Sequence, residues 1–451
     1  MRFDEHDIIV APATATGGAI AVIRVSGEGA VECCDSVFRG RVALATAKPY
    51  TVHYGEIVDG ERVIDDVLVT VFRTPHSYTG EDGAEISVHG SQYIVSEVLA
   101  LLVRHGARMA QPGEFSVRAF LAGKMDLSQA EAVADMIASS SRASHSLAST
   151  QMRGGYSASL ANLRSRLMNV ASLLELELDF SEEEVEFADR TQLASMLDEA
   201  AAEIGALRNS FRLGNAIKEG VATVIVGEPN VGKSTLLNRL VGEERAMTSD
   251  IAGTTRDTIE VMCNIDGVVF RFVDTAGLRD TDDKLEQMGI DRTRRAVEQA
   301  QIVVQMVDAS SMAAAEPIAL RDDQTLIRVV NKIDAYPDAE RYHIVGCEDV
   351  VAISAKSGDG VDALRQRLRA TIDTEGVYAG ETVVSNSRHY EALERALQAL
   401  SHARQALADG LSGELLSEEL REVLSYLGEI TGEVTSQEIL NNIFSKFCVG
   451  K

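Results

Sequence analysis

The stretch Val221-Ala222-Thr223-Val224-Ile225-Val226-Gly227-Glu228-Pro229-Asn230-Val231-Gly232-Lys233-Ser234-Thr235 decides how this chain is read. An apolar, β-branched run ends at Gly227, and Gly232-Lys233-Ser234 opens a helix-favouring run through Leu240. Strand, Gly-x4-Gly-Lys-Ser and helix is the order of a phosphate-binding P-loop. The two glycines let backbone amides converge on one anion, and the helix N-terminus adds its partial positive charge. Lys233 is placed for the β/γ-phosphates and the Ser234 hydroxyl for Mg²⁺. Asn230, Val231, Gly232 and Thr235 complete the expected phosphate cradle.

Four further elements follow in order. Asp274-Thr275-Ala276-Gly277 ends the apolar run Val268 to Val273. Asp274 would hold Mg²⁺ through water, and the Gly277 amide would sense a γ-phosphate. Gly253-Thr254-Thr255-Arg256-Asp257 lies between the P-loop helix and that run. Thr255 is placed to add its hydroxyl to Mg²⁺ only with a γ-phosphate present, which makes a switch. Asn331-Lys332-Ile333-Asp334 follows the run Thr325 to Val330. An Asp334 carboxylate accepts from guanine N1–H and the exocyclic amine together, whereas adenine would leave it unpaired. Ser354-Ala355-Lys356 then offers a backbone N–H to guanine O6. Together the five elements imply guanine-nucleotide binding, with GTP and Mg²⁺ as ligands.

Two gaps in the pattern are informative. A glutamine directly after the Asp-x-x-Gly turn orients the attacking water in Ras-like proteins, but here that position is Leu278. Glu286, shortly after it, is the alternative carboxylate. No arginine finger is evident either. The Asn230 amide oxygen, with switch carbonyls, offers a place for a monovalent cation that would neutralise developing charge.

A chain of 451 residues suggests roughly three domains. No apolar run is long enough to span a bilayer, and the acidic start, Met1 to Asp7, lacks a signal-peptide core. Five cysteines (Cys33, Cys34, Cys263, Cys347, Cys448) show neither metal-ligand nor disulfide spacing, so the chain reads as reduced and cytoplasmic. Sixty-nine acidic against 43 basic residues give a net charge of −26, which argues against a broad nucleic-acid footprint.

Residues 1–119 read as a strand-rich α+β domain, with a hairpin turn at Asp59-Gly60 and a helix over Tyr93 to Val103. Arg24, Glu81 and the pair Arg118/Lys124 are its prominent charges. Leu127 to Glu177 is helix-favouring with a break only at Gly154-Gly155, and Leu193 to Leu213 is helical again. Glu182 to Glu186 reads as a solvated acidic loop. Strands and helices alternate from Gly220 to Ile372, as a parallel α/β sheet requires, and three helical stretches follow. The expected fold is multidomain α+β and α/β. An N-terminal domain (1–119) precedes a helical bundle (120–215 and 376–451), which is interrupted by an inserted Ras-like P-loop G domain (216–375).

These features coincide in one family. The chain resembles the MnmE (TrmE) family of tRNA modification GTPases over its full length. The resemblance rests on Asn230 in the P-loop, Gly253 to Asp257, Leu278, a GTPase domain set within helices, Gly113-Glu114-Phe115…Arg118-Ala119-Phe120 and the terminal Cys448-Val449-Gly450-Lys451. Val449 replaces the family's usual isoleucine or leucine.

The resemblance implies potassium-dependent GTP hydrolysis through G-domain dimerisation. Asn230, Ser249, Ile251 and Thr254 would form the K⁺ loop, with Asp250 and Ala252 beside them at the GTP. Ser249 stands where threonine is frequent. Glu286 falls at the family's catalytic glutamate. The N-terminal domain is similar to folate-binding one-carbon transfer domains and is expected to mediate a homodimer. Arg24, Glu81, Lys124 and Lys451 fall at its 5-formyltetrahydrofolate positions, and Cys448 would lie close by. The implied partner is the FAD-binding protein MnmG (GidA). The implied reaction adds a carboxymethylaminomethyl or aminomethyl group to C5 of a tRNA wobble uridine, with carbon from 5,10-methylene-tetrahydrofolate. The runner-up is an Era- or Der-like ribosome-assembly GTPase, which shares the G-motifs; a basic RNA-binding domain after the G domain would favour it.

Overall fold

In a computed structural model, the structure describes residues 7–179, 190–242, 260–273, 286–310, 318–336, 350–411, 413–445, 447 and 450. The chain divides into two compact units, Met1–Ala134 with Gly428–Lys451, and Asp135–Leu427.

The first unit carries β1 (Ile8–Pro12), β2 (Ile20–Ser26), α1 (Ala30–Asp35), β3 (Phe38–Gly40), β4 (Val52–Asp59), β5 (Arg62–Phe72), β6 (Gly83–His89), α2 (Gln92–Arg104), β7 (Ala107–Met109), α3 (Glu114–Leu121) and the start of α4 (Leu127–Ala138). Its seven strands run in the order β3-β4-β5-β6-β2-β1-β7. All neighbours are antiparallel except β1 and β7. Alternation fixes the faces. Val67, Val69 and Val71 of β5 point into a core with Ile23, Val25, Ile86, Val98 and Leu101, while Asp66 and Leu68 face outward.

The second unit continues with α5 (Arg142–Met152), α6 (Gly155–Asp179), α7 (Arg190–Glu219), β8 (Val221–Gly227), α8 (Lys233–Gly242), β9 (Val261–Ile265), β10 (Val268–Phe272), α9 (Glu286–Gln299), β11 (Ile302–Asp308), β12 (Thr325–Asn331), β13 (Val350–Ala352), α10 (Val361–Ala370), α11 (Glu375–Ala379), α12 (Ser387–Ala408) and most of α13 (Gly413–Thr431). The last helix, α14 (Gln437–Phe444), belongs to the first unit. The sheet order is β13-β12-β11-β8-β10-β9. It is parallel except for the β9–β10 hairpin, which forms an antiparallel edge. Strands such as Val221 to Val226 and Ile302 to Met306, apolar but for Thr223 and Gln305, are buried on both faces, as parallel sheets demand. The chain passes from one side of β8 to the other, so β8 is the topological switch point, and its carboxyl end carries the P-loop.

Two helical details differ from the sequence reading. The run from Leu127 breaks at Ser139 to Ser141 as well as at Gly154. The Ser141 hydroxyl accepts from the Ser144 amide at 3.1 Å, and Ser144 bonds back to the Ser141 amide at 3.1 Å. This reciprocal cap starts a new helix in a composition that reads as uninterrupted. Helix α7 also runs to Glu219, directly into β8. The acidic stretch Glu182 to Glu186 lies outside the described residues.

The core beneath the parallel sheet takes in Ala143 and Leu147 of α5, Ala216 and Ile217 of α7, and Val383. The segment Val383 to Ser385 brings the chain back past α7. Gln151 Nε2 donates to Val383 O at 2.8 Å, and the Val384 amide donates to Ser210 Oγ at 3.0 Å. Gly214 makes this packing possible, since a Cβ there would lie 2.1 Å from Val384 O. Helix propensity alone favours Gly214→Ala by about 1 kcal/mol. Overpacking against backbone costs about 1–3 kcal/mol and wins. Gly214→Ala is therefore expected to lower the urea midpoint of this unit, and a raised midpoint would contradict the packing.

Candidate functional site

The P-loop is shaped by its neighbour. Gly232 has φ 102°, and a Cβ there would lie 2.3 Å from Asn331 Nδ2. Only glycine leaves room for that amide. Asn331, 2% exposed at the end of β12, donates from Nδ2 to Val231 O at 2.7 Å and accepts at Oδ1 from the Ala355 amide at 2.8 Å. One side chain thus joins the phosphate loop to the Ser354-Ala355-Lys356 loop. The Ala355 amide already has this partner, so a guanine O6 would have to share it.

Ser354 is fully buried and donates to Asp334 Oδ1 at 2.7 Å. This orients one carboxylate oxygen and leaves acceptor capacity on the other. Lys332 holds a left-handed backbone, φ 69°, and its ammonium lies 2.6 Å from Asp308 Oδ2. Burial works to raise the Asp308 pKa, but the Lys332 and Ser310 hydrogen bonds outweigh it and hold it below the usual range. Arg239 of α8 donates to Lys356 O at 2.6 Å, clipping the P-loop helix to the same loop. A cavity of about 450 Å³ opens beside them, lined by Thr235, Asn238, Arg239, Gly242, Ala355 and Lys356. That volume falls within the ~300–1,000 Å³ of small-molecule sites.

Lys233 Nζ donates to Gly227 O at 2.8 Å and Glu228 O at 2.9 Å. Burial pushes its pKa down, and a phosphate placed against it would reverse that push. Ser234 follows it in the first turn of α8. Asn230 sits at φ 63° with an exposed side chain. Among the described residues no group of three or more His, Cys, Asp or Glu could hold a metal by itself. The Ser234 hydroxyl at the start of α8 would fit a Mg²⁺ that keeps waters and takes phosphate oxygens with one or two protein ligands. Ser249, Asp250, Ile251, Ala252, Gly253, Thr254, Thr255, Asp274, Thr275, Ala276, Gly277 and Leu278 lie outside the described residues. Glu286 opens α9, and its side chain also lies outside them. Sequence reasoning missed Asp308 and Arg239. A carboxylate ending an apolar parallel strand was the available signal for the first.

The N-terminal charges gather in the first unit. Arg24 lies over Tyr78 at 4.9 Å and Phe115 at 5.7 Å, and pairs with Glu85 at 2.8 Å. Its Nη1 also donates to Gly450 O at 3.3 Å, which brings the carboxyl-terminal segment to the same place. Glu81 accepts from Ser26 Oγ at 2.7 Å and from Arg118 Nη1 at 3.2 Å. Lys124 donates to Pro75 O at 2.8 Å, and its stem passes along Gly80. A cavity of about 90 Å³ opens among Arg24, Ser26, Phe72, Tyr78, Thr79 and Glu85, which is room for one edge of a ligand. Cys448 and Lys451 lie outside the described residues.

Asn331→Ala strips partners from two buried backbone groups, at ~1–3 kcal/mol each. It is expected to lower the thermal midpoint of the nucleotide-free protein and to raise the Kd for a fluorescent GDP at least about tenfold. Arg239→Ala removes an exposed clip and should change that Kd less than about threefold. Equal, small effects of the two variants would contradict the bridge.

Residues 127–448 match the family described as the MnmE helical domain, and residues 8–124 match the GTP-binding protein TrmE N-terminus. A Bacteroides fragilis protein named tRNA modification GTPase MnmE is 49% identical over 465 residues, covering 99% of this chain and 100% of its own. The same name and identity hold for a Bacteroides thetaiotaomicron relative over 463 residues, covering 99% and 100%. A Cytophaga hutchinsonii relative of that name is also 49% identical, covering 99% and 98%. A solved structure of Era with MgGDPNP and a 16S ribosomal RNA segment matches at 26% identity and a TM-score of 0.25, over 39% of this chain and 65% of that one. With matches at both ends and near-half identity along its whole length, the chain belongs to the MnmE family of tRNA modification GTPases, and is a GTP hydrolase acting in tRNA modification.

Proposed function

We propose that this GTPase is potassium-dependent and works as a homodimer with an FAD-binding MnmG (GidA) partner. Together they add a carboxymethylaminomethyl or aminomethyl group at C5 of the wobble uridine of certain tRNAs. The carbon comes from a tetrahydrofolate, and the setting is cytoplasmic. No described helix is long and apolar enough to cross a membrane. The observation that carries the reading is the pairing of a guanine-type site with a second polar site in another unit, where Arg24, Glu81 and the Gly450 carbonyl converge.

In the nucleotide site, Lys233 and the amides around Gly232 receive phosphate oxygens, and Ser234 and Thr255 serve Mg²⁺. Asp334, steadied by Ser354, selects guanine. Asn230 fits a role toward K⁺ because its exposed amide stands on a left-handed backbone at the mouth of the P-loop. With Ser249, Ile251 and Thr254 it would hold the ion, whose charge supplies what an arginine finger supplies elsewhere. Glu286 then orients the attacking water.

In the folate site, Glu81 receives the donor edge of the pterin, and Arg24, Lys124 and Lys451 face the anionic tail. A cavity of about 90 Å³ covers only part of such a molecule, so a further wall is required. A second copy provides it in this reading. Tyr54, 68% exposed, and its cross-strand neighbour Leu68, 47% exposed, form an apolar surface on the outer face of the sheet suited to that contact. FAD and most of the tRNA surface belong to the partner, consistent with a net charge of −26 here.

One reconstitution tests the proposal. The chain, the FAD-binding partner, tRNA, GTP, methylenetetrahydrofolate and an amine are combined in K⁺ or in Na⁺, with phosphate release and nucleoside mass read together. Phosphate release at least about tenfold faster in K⁺, with the C5 mass shift appearing only there, is expected. Equal rates in the two salts, or an unmodified uridine in K⁺, would overturn it.

A further inference from the structure

We propose that Arg118 is a positioning residue for the one-carbon site: buried beneath Glu81, it fixes the carboxylate that receives a reduced pterin and never touches the ligand. The inference rests on the folate reading of that site. The Arg118 side chain is 3% exposed, out of reach of any ligand. Its Nη1 donates to Glu81 Oε1 at 3.2 Å, to Glu81 Oε2 at 3.3 Å and to the Asp7 carbonyl at 2.8 Å. Its Nη2 pairs with the Asp7 carboxylate and lies 3.5 Å from Glu114 Oε1. Only a planar guanidinium reaches all of these at once; an ammonium is a point charge without the fork.

Ser26 supplies the second hold, donating to Glu81 Oε2 at 2.7 Å. Two donors from below set the plane of the Glu81 carboxylate. A carboxylate has about four acceptor positions; these contacts take three and leave room for a further donor at Oε1. Ser26 stands two residues from Arg24 on β2, hence on the same face of the sheet. The same face therefore presents a held carboxylate and a guanidinium to one ligand.

The charge count agrees. Arg108 and Arg118 face Asp7, Glu114 and Glu81, which leaves one formal negative charge over. Glu114 is fully buried and takes Arg108 and the Gln111 amide, the latter at 2.8 Å. Asp7 is shared by both arginines. Glu81 at 24% and Asp7 at 28% are the two carboxylates of the cluster that reach the surface. Of these two, Glu81 is the one held by Ser26, on the strand that carries Arg24, so negative charge faces the same place and suits an N–H donor edge such as that of a pterin.

Full-length wild type, Arg118→Lys, Glu81→Gln and the double variant are titrated calorimetrically with 5-formyltetrahydrofolate up to millimolar concentration. Arg118→Lys is expected to weaken binding about tenfold or more in the wild type and less than about twofold in the Glu81→Gln background. A loss of equal size in both backgrounds would show a purely structural role and overturn the proposal, as would no loss in either. Ser26→Ala leaves the buried ion cluster intact and covers the case in which Arg118→Lys fails to fold. It should weaken binding several-fold, again only while Glu81 is present, and unchanged binding would count against the proposal. If the wild type itself binds no folate, the folate reading falls first.

Discussion

A buried amide holds the nucleotide site together. Asn331 joins elements that the sheet sets side by side, donating one amide N–H to the Val231 carbonyl and accepting from the Ala355 amide. Phosphate loop and base loop lie on different strand ends, and neither carries a side chain that could replace this bridge. The consequence reaches down to composition. The residue facing the bridge must lack a Cβ, which gives Gly232 a reason beyond its φ angle. A hydrogen bond in such a site is worth more for the groups it would strand than for its own net energy.

The parts of this arrangement that follow the chain locally are legible in the sequence. Gly-x4-Gly-Lys-Ser after a β-branched run places the P-loop, and largely apolar strands such as Val221 to Val226 announce a parallel sheet buried on both faces. The antiparallel β9–β10 edge was not legible from alternation alone. Ser139 to Ser141 hid a helix boundary because a serine pair can cap as readily as it can continue a helix. The Asp308–Lys332 pairing and the Arg239 clip were hidden for another reason. Each acts across strands or between a helix and a distant loop, through side-chain reach that no spacing within one segment encodes.

The N-terminal unit shows the same division. Arg24 and Glu81 could be picked out from the family resemblance, but their supports could not. Glu85, Tyr78, Ser26 and Arg118 become partners only once β2, β6 and α3 are side by side. The arrival of Gly450 beside Arg24 explains why the two ends of a long chain belong to one unit. The strongly acidic balance leaves few basic stretches for nucleic acid.

The central claim is that the base-recognition framework stands assembled before nucleotide arrives, tied by Asn331. Amide hydrogen exchange on the nucleotide-free protein tests it most directly, read at the peptide that carries Ala355. The bridge predicts protection of that amide close to the level of the buried strand β12, with little further gain on adding GDP. Exchange at the rate of an open loop, slowed only when GDP is bound, would contradict it.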